Sequence, residues 1–267
     1  MPAVNPTRMR FQVEALMAHY ADPKAFHLAL SNLFDLYANR ALRFGDHTGI
    51  RPMIPTYHLP APLLRQLEAD LERIVPEQPD PALALVDELW QDDYYEVKLA
   101  AIAVLGLIPL TDPLPVLDRL NQWIDNRLDL SLLPTLFSAG TRQLQLKFPQ
   151  TWENYLETFL ESEDPQKVSV GFLGLAEGLK NHQNQNIPAL FRLIGPYVRN
   201  PQPQNFKELA TLLIALAEAS PMETGFFLRQ ILSVTDSPEI KRLIKDSLAG
   251  FPPEIQDELR PMVSRPR

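Results

Sequence analysis

The residues that could do chemistry fall into a few small sets. Asp46, His47 and His58 lie in one stretch rich in glycine and proline, and two imidazoles with a carboxylate are a sound metal ligand set. Their spacing matches no local metal motif, so ordinary loop polar residues are the preferred reading and no metal site is expected. Trp90, Tyr94 and Tyr95 form an aromatic group. A tryptophan near a helix end is expected to pack between neighbouring helices, with Tyr94 and Tyr95 exposed at the turn. Trp123 and Trp152 read as core, and His19 and His27 as surface or packing residues on separate helices. The polar run NHQNQN at 181–186 reads as a solvated linker. The chain contains no phosphate-binding loop, no G-x-G-x-x-G, no G-x-S-x-G and no H-E-x-x-H. No cofactor is expected.

A different pattern recurs. Asp93-Tyr94-Tyr95-Glu96-Val97-Lys98, Asp164-Pro165-Gln166-Lys167-Val168-Ser169 and Asp236-Ser237-Pro238-Glu239-Ile240-Lys241 each open an apolar stretch of helical period. Each Asp can accept from the free N–H groups of a first helical turn, and proline suits that turn. Val97, Val168 and Ile240 each follow their Asp by four residues, one helical turn, and are expected to face the core. Weaker copies begin at Leu128-Asp129-Leu130-Ser131 and Asn205-Phe206-Lys207-Glu208. Starts near 94, 128, 165, 205 and 237 give a period of 32 to 40 residues with two helices per unit. First helices are expected at 81–90, 113–126, 149–161, 186–199 and 221–233. Asp129 reads as the N-cap of a helix over 129–140.

Neighbouring pairs must stack to bury their apolar faces, which makes the fold all-α: a right-handed α-solenoid of HEAT-like helix pairs with an N-terminal helical cap. The expected organisation is a single domain over 1–267. Residues 1–76 form the cap, with helices at 8–20, 24–42 and 61–75 and a long ordered loop at 44–60. About five pairs follow over 77–250. Residues 251–267 hold a capping helix at 253–263 and a basic tail with Arg260, Arg265 and Arg267.

Composition agrees with this reading. Of 267 residues, 45% are hydrophobic, 26 are proline and only 10 are glycine, so the chain is cut into many short elements around a real core. The absence of cysteine excludes disulfides and thiolate metal sites. No apolar leader opens the sequence and the longest apolar run, Leu99 to Leu110, is too short for a membrane helix, so a cytoplasmic protein with no membrane partner is expected. The net charge of −8 works against nucleic-acid binding, which favours a basic face. Between Glu77 and Asp129 eleven acids face three bases, which would repel a duplex.

The D-x-x-x-V-[KR] opening resembles the HEAT repeat, where the Asp and the basic residue form ladders between repeats. Lys98 and Lys241 fit the basic position and Ser169 does not. In patches from about 57 to 218 the chain also resembles the bacterial DNA alkylation repair family, the AlkD-type alkylpurine DNA glycosylases. Tyr57-His58-Leu59-Pro60-Ala61-Pro62-Leu63-Leu64-Arg65 is similar to its loop–proline–helix segment. Leu89-Trp90 with Tyr95-Glu96-Val97-Lys98-Leu99-Ala100 is similar to its L-W-x(4)-[YR]-E-x-[RK]-x-x-A signature, and Ile214-Ala215-Leu216-Ala217-Glu218 to its W-A-L-R-E.

The resemblance implies cleavage of the N-glycosidic bond of cationic alkylated purines. An aspartate would stabilise the sugar cation, aromatic residues would hold the lesion's sugar, and DNA would lie along a basic concave face. It places Asp129 at the catalytic acid of a W-W-D-x-V-D motif and Lys167 near a family arginine. Arg127 and Leu128 replace the paired aromatics, Leu132 the second Asp, Ile214 the tryptophan and Ala217 the arginine of W-A-L-R-E.

Two functions follow. The first is a non-enzymatic scaffold that binds a protein partner on its concave face through exposed polar positions of second helices: Glu96, Lys98, Asp129, Lys167, Lys207 and Lys241. That face is expected to be negative near 95–130 and more positive beyond 165. The alternative is a divergent DNA alkylation repair glycosylase acting on DNA through Asp129 and Lys167.

Overall fold

The computed structural model describes residues 5–39, 52–124, 128–180 and 186–264, and every regular element among them is helical. Asp46, His47, Asn126, Arg127, most of the 181–186 run, Arg265 and Arg267 lie outside the described residues. The helices group into two compact units, residues 1–149 and 150–267.

The first unit begins with α1 (Pro6–Met17), α2 (Pro23–Tyr37) and α3 (Ala61–Glu77). It continues with α4 (Ala82–Trp90), α5 (Tyr95–Leu107) and α6 (Leu114–Trp123). Helix starts are set by the chemistry read from the sequence. Pro6 and Pro23 occupy the first turns of α1 and α2, behind Asn5, which accepts from Thr7 and Arg8, and Asp22, which accepts from Lys24 and Ala25. Helices α1, α3 and α5 pack in sequence as one layer, and α2 packs on α4 in the other. Helices α1 to α3 therefore alternate between the same two layers as α4 and α5. Helix α2 ends at Tyr37, not near 42, because the chain turns extended at Ala38 and Asn39 N–H bonds to the Tyr57 carbonyl at 3.0 Å.

After α6 the expected helix over 129–140 is replaced by a composite. A 3-10 turn (Leu130–Leu132), α7 (Leu133–Thr135) and a π segment (Leu136–Gly140) run into α8 (Arg142–Lys147). The π segment widens the backbone where α5 presses on it. A Cβ on Gly106 would lie 1.8 Å from the Ala139 carbonyl oxygen. Thr141 Oγ1 and Gln145 Nε2 both donate to the Phe137 carbonyl, at 2.7 and 2.6 Å, satisfying an oxygen that the widened turn displaces.

The second unit holds α9 (Pro149–Leu160), α10 (Pro165–Lys180), α11 (Ile187–Arg199) and α12 (Phe206–Ala219). It ends with α13 (Pro221–Val234), α14 (Pro238–Ser247) and α15 (Pro253–Ser264). Here α10, α12 and α14 pack in succession, and α13 packs on α15. Phe191 of α11 stacks on Phe227 of α13 with ring centres 4.6 Å apart, and Tyr197 of α11 donates to the Leu160 carbonyl at the end of α9. Each unit is thus two layers of alternating helices. Val97, Val168 and Ile240 are all buried, as the spacing requires. Among the described residues no helix is long and apolar enough to cross a membrane.

The Asp that opens each repeat does not do one job. Asp164 accepts from Gln166 N–H at 2.9 Å, as a cap should. In the first repeat Asp92, not Asp93, accepts from Tyr94 N–H. In the third, Ser237 caps α14, and Asp236 pairs with Lys241 of its own repeat.

The glycine contact gives a direct test. Gly106→Ala forces a Cβ into backbone and should lower stability by about 3 kcal/mol despite alanine's better helix propensity. In Gly195→Ala the nearest atom is the flexible Arg199 head at 3.1 Å, and that variant should be neutral or up to about 1 kcal/mol more stable. Urea unfolding of both variants measures the difference; equal stabilities would contradict the close approach.

Candidate functional site

The residues singled out for chemistry in the first unit converge on one extended segment. Residues 52–58 run as a strap, with prolines at 52 and 55, and have no helix or ladder of their own. Four of their amides are paired by two carboxylates, one from the first turn of α5 and one from just ahead of the 3-10 turn that follows α6. Asp129, ahead of the 3-10 turn, accepts Met53 N–H at 2.5 Å and Ile54 N–H at 3.1 Å through Oδ2. Glu96, in the first turn of α5, accepts Tyr57 N–H at 2.9 Å and His58 N–H at 2.8 Å, one on each oxygen. Between these anchors Tyr95 N–H donates to the Pro55 carbonyl at 2.8 Å.

The strap's side chains complete the fit. The Tyr57 ring is buried edge-on to Phe34 at 5.6 Å and stacked on Tyr94 at 4.1 Å. Burial, reinforced by the charges of Asp92 and Asp35, pushes its hydroxyl up to about 12. His58 turns the chain into α3 with a φ of 54°, a left-handed conformation uncommon for a residue with a Cβ.

Asp129 has little capacity left. Its Oδ1 accepts Ser131 N–H at 2.9 Å and Ser131 Oγ–H at 2.7 Å, so with the strap four donors meet its roughly four lone-pair sites. Burial pushes its carboxyl up, but the Ser131 hydroxyl and the amides of Ser131, Met53 and Ile54 outweigh that and hold it below its ordinary value of 3.8. The N-cap reading of Asp129 therefore holds, on a 3-10 turn, and the same side chain also ties down a distant segment. Ser131, which makes half of that arrangement, was not singled out in the sequence, although a serine two residues after an aspartate is a local capping signal.

The other expected binding positions divide. Glu96 was expected to be exposed; it is buried, because its two oxygens serve the strap amides. Lys98 is half-buried, with Nζ donating to the Trp90 carbonyl at 2.6 Å and lying 4.5 Å from the Trp90 ring centre. Burial lowers its pKa, against the raising charges of Asp93 and Asp92. Trp90 stacks on Trp123 of α6 at 3.8 Å, so it packs between repeats as expected. Tyr94 is exposed, whereas Tyr95 is half-buried and points its hydroxyl at the Ser131 carbonyl.

In the second unit Lys167 and Lys207 are exposed at the starts of α10 and α12, and Lys241 is half-buried against Asp236. Ile214 is half-buried and Ala217 buried in α12, where the turn ending at Gly250 packs against them. The expected polarity fails at its acidic end: Glu96 and Asp129 face the strap and are not presented as open acids.

His27 is a site residue that the sequence hid. Its Nδ1 lies 3.2 Å from Glu88 Oε1 and its Nε2 2.7 Å from Asp92 Oδ2, partners 61 and 65 residues away, so no local pattern marks it.

A family model described as DNA alkylation repair enzyme matches residues 43–246, a span that includes the strap and both of its carboxylate anchors. No curated protein and no solved structure matches the chain.

The two anchors should differ in strength. Glu96→Ala leaves the buried Tyr57 amide and the part-buried His58 amide without acceptors and should cost about 3 kcal/mol, whereas Asp129→Ala, nearer solvent, should cost about 1 kcal/mol. Amide exchange should quicken at Tyr57 and His58 in the first variant and at Met53 and Ile54 in the second. Because the Asp129 pKa is depressed by folding, its contribution is full above the unfolded value near 3.8 and is lost as pH falls through the folded value.

Proposed function

The chain belongs to the DNA alkylation repair enzyme family, and on that premise we propose that it uses the family framework as a non-enzymatic scaffold that binds a protein partner. On this reading the alternating helices of each unit make up that scaffold. The observation that carries the reading is the saturation of Asp129. Asp129, which the resemblance matches to the family's catalytic acid, spends both oxygens on Ser131, Met53 and Ile54. A carboxylate that already accepts four hydrogen bonds has no free acceptor to orient a water, and rate acceleration requires a group that is both fixed and available. By the same resemblance, Leu128 and Ile214 stand where the family has aromatic residues that would hold the lesion's sugar. Lys167 and Lys207, exposed at the starts of α10 and α12, are the partner contacts best placed to act.

A second reading, excision of alkylated purines from DNA, has one observation in its favour besides family membership. Asp129 is held ionised, and a carboxylate that stays charged at neutral pH is what a developing sugar cation requires.

Incubation with methylated duplex DNA separates the two. The scaffold reading expects no alkylpurine release above a protein-free control. Release that disappears in Asp129→Asn would overturn it in favour of excision. On the binding side, partners captured at low salt should be lost when Lys167, Lys207 and Lys241 are changed to Glu, and should weaken as salt rises, since exposed charges are screened within about 10 Å at 0.1 M. Unchanged capture by the triple variant would remove these residues from the contact set.

A further inference from the structure

His27 projects from α2 between two carboxylates, Glu88 of α4 and Asp92 of the turn that leads into α5. A neutral imidazole carries one N–H and one lone pair, so it can satisfy only one of two flanking carboxylates; the imidazolium, with two N–H groups, satisfies both. At 3.2 and 2.7 Å both contacts are made. Asp92 is also engaged on its other oxygen, which accepts Tyr94 N–H at 2.7 Å. Tyr94 in turn stacks on Tyr57 of the strap. One proton therefore sits at the head of a continuous path: α2, the turn 91–94, the exposed Tyr94 ring and the strap.

From this arrangement we propose that His27 is a proton-operated latch, whose imidazolium ties α2 to the turn between α4 and α5 and whose deprotonation loosens the turn that presents Tyr94 and backs the strap.

The surroundings are consistent with such a latch. From α4 and its turn the facing groups are Glu88 and Asp92. From α5, Lys98 feels both Asp92 and Asp93, which partly balances the acids. After α1, Tyr20 meets α2 edge-on at the Phe26 ring, 6.4 Å away, one residue before His27 in the chain. Burial pushes the Tyr20 hydroxyl up to about 12, so it does not titrate in the same range. Burial opposes charge on His27, but the hydrogen bonds and charges of Asp92 and Glu88 outweigh it and raise its pKa above 6.5. A group raised on folding contributes its full stabilisation below the unfolded value and loses it as pH rises through the folded value. The latch is thus closed in mildly acidic solution and opens on the alkaline side of 6.5.

The test is an NMR titration of the full chain, reading the two ring nitrogens of His27 and the amide exchange of Tyr94, corrected for intrinsic rates. Both nitrogens should be protonated at low pH, with a midpoint above 6.5. Tyr94 protection should fall roughly tenfold through that midpoint, the loss of about one charge-assisted hydrogen bond. In His27→Gln the Tyr94 protection should be low and independent of pH. If that variant does not fold, Glu88→Gln serves instead: it leaves the Asp92 contact in place and should lower the midpoint. A midpoint at or below 6.5, Tyr94 protection unchanged through the titration, or the same fall in His27→Gln would overturn the proposal.

Discussion

An extended segment between helices carries amides that no helix or ladder satisfies, and burying them without partners costs as much as the contacts around them return. The strap at 52–58 meets this constraint with two carboxylates. Pro55 divides its donors into two pairs, 53 with 54 and 57 with 58, and each pair meets one acid from the start of a helical element. Much of the first unit follows from that choice. Tyr57 can be buried between Phe34 and Tyr94 only because its amide is held by Glu96, and Asn39 can leave α2 where it does because the Tyr57 carbonyl is there to accept it.

The same constraint bears on chemistry. The Asp129 carboxyl is held below its ordinary value, and geometry assigns that depression to four internal donors. A depressed pKa signals that the ionised form is well solvated by the protein, and it does not show that the charge is available to a substrate. Family membership transfers the framework, whereas function depends on what particular side chains are free to do.

The fold was largely legible in the sequence because its signals are local. Prolines at first turns, capping Asn and Asp residues and apolar positions at helical spacing placed most helices within a few residues of where they lie. The failures are as instructive. The π segment is imposed by the approach of α5 at Gly106, a contact 33 residues away in sequence from Ala139 that no local propensity encodes. Glu96 reads as an exposed first-turn acid because its partners lie 38 and 39 residues upstream. His27 was invisible for the same reason, since its acids are farther still. Local spacing reports where helices start; it is silent on which buried donors their polar side chains must serve.

Charge shows why counting residues misleads at the next level up. The stretch from Glu77 to Asp129 is heavily acidic in sequence and reads as a surface that repels a duplex. In the folded unit much of that charge is spent internally. Asp87 takes a bidentate grip from Arg119, with contacts of 2.8 and 2.6 Å, which fastens α6 to α4. Glu88 and Asp92 share His27, and Glu96 and Asp129 hold the strap. Each of these acids does positional work where a helix meets a neighbour. At Glu88, Asp92 and Glu96 solvent is partly excluded, and there a charge-assisted hydrogen bond is worth more than on an open surface. The acidity of the segment is therefore first a property of how its elements are joined, and only the remainder, such as the exposed Asp93, is left open to solvent.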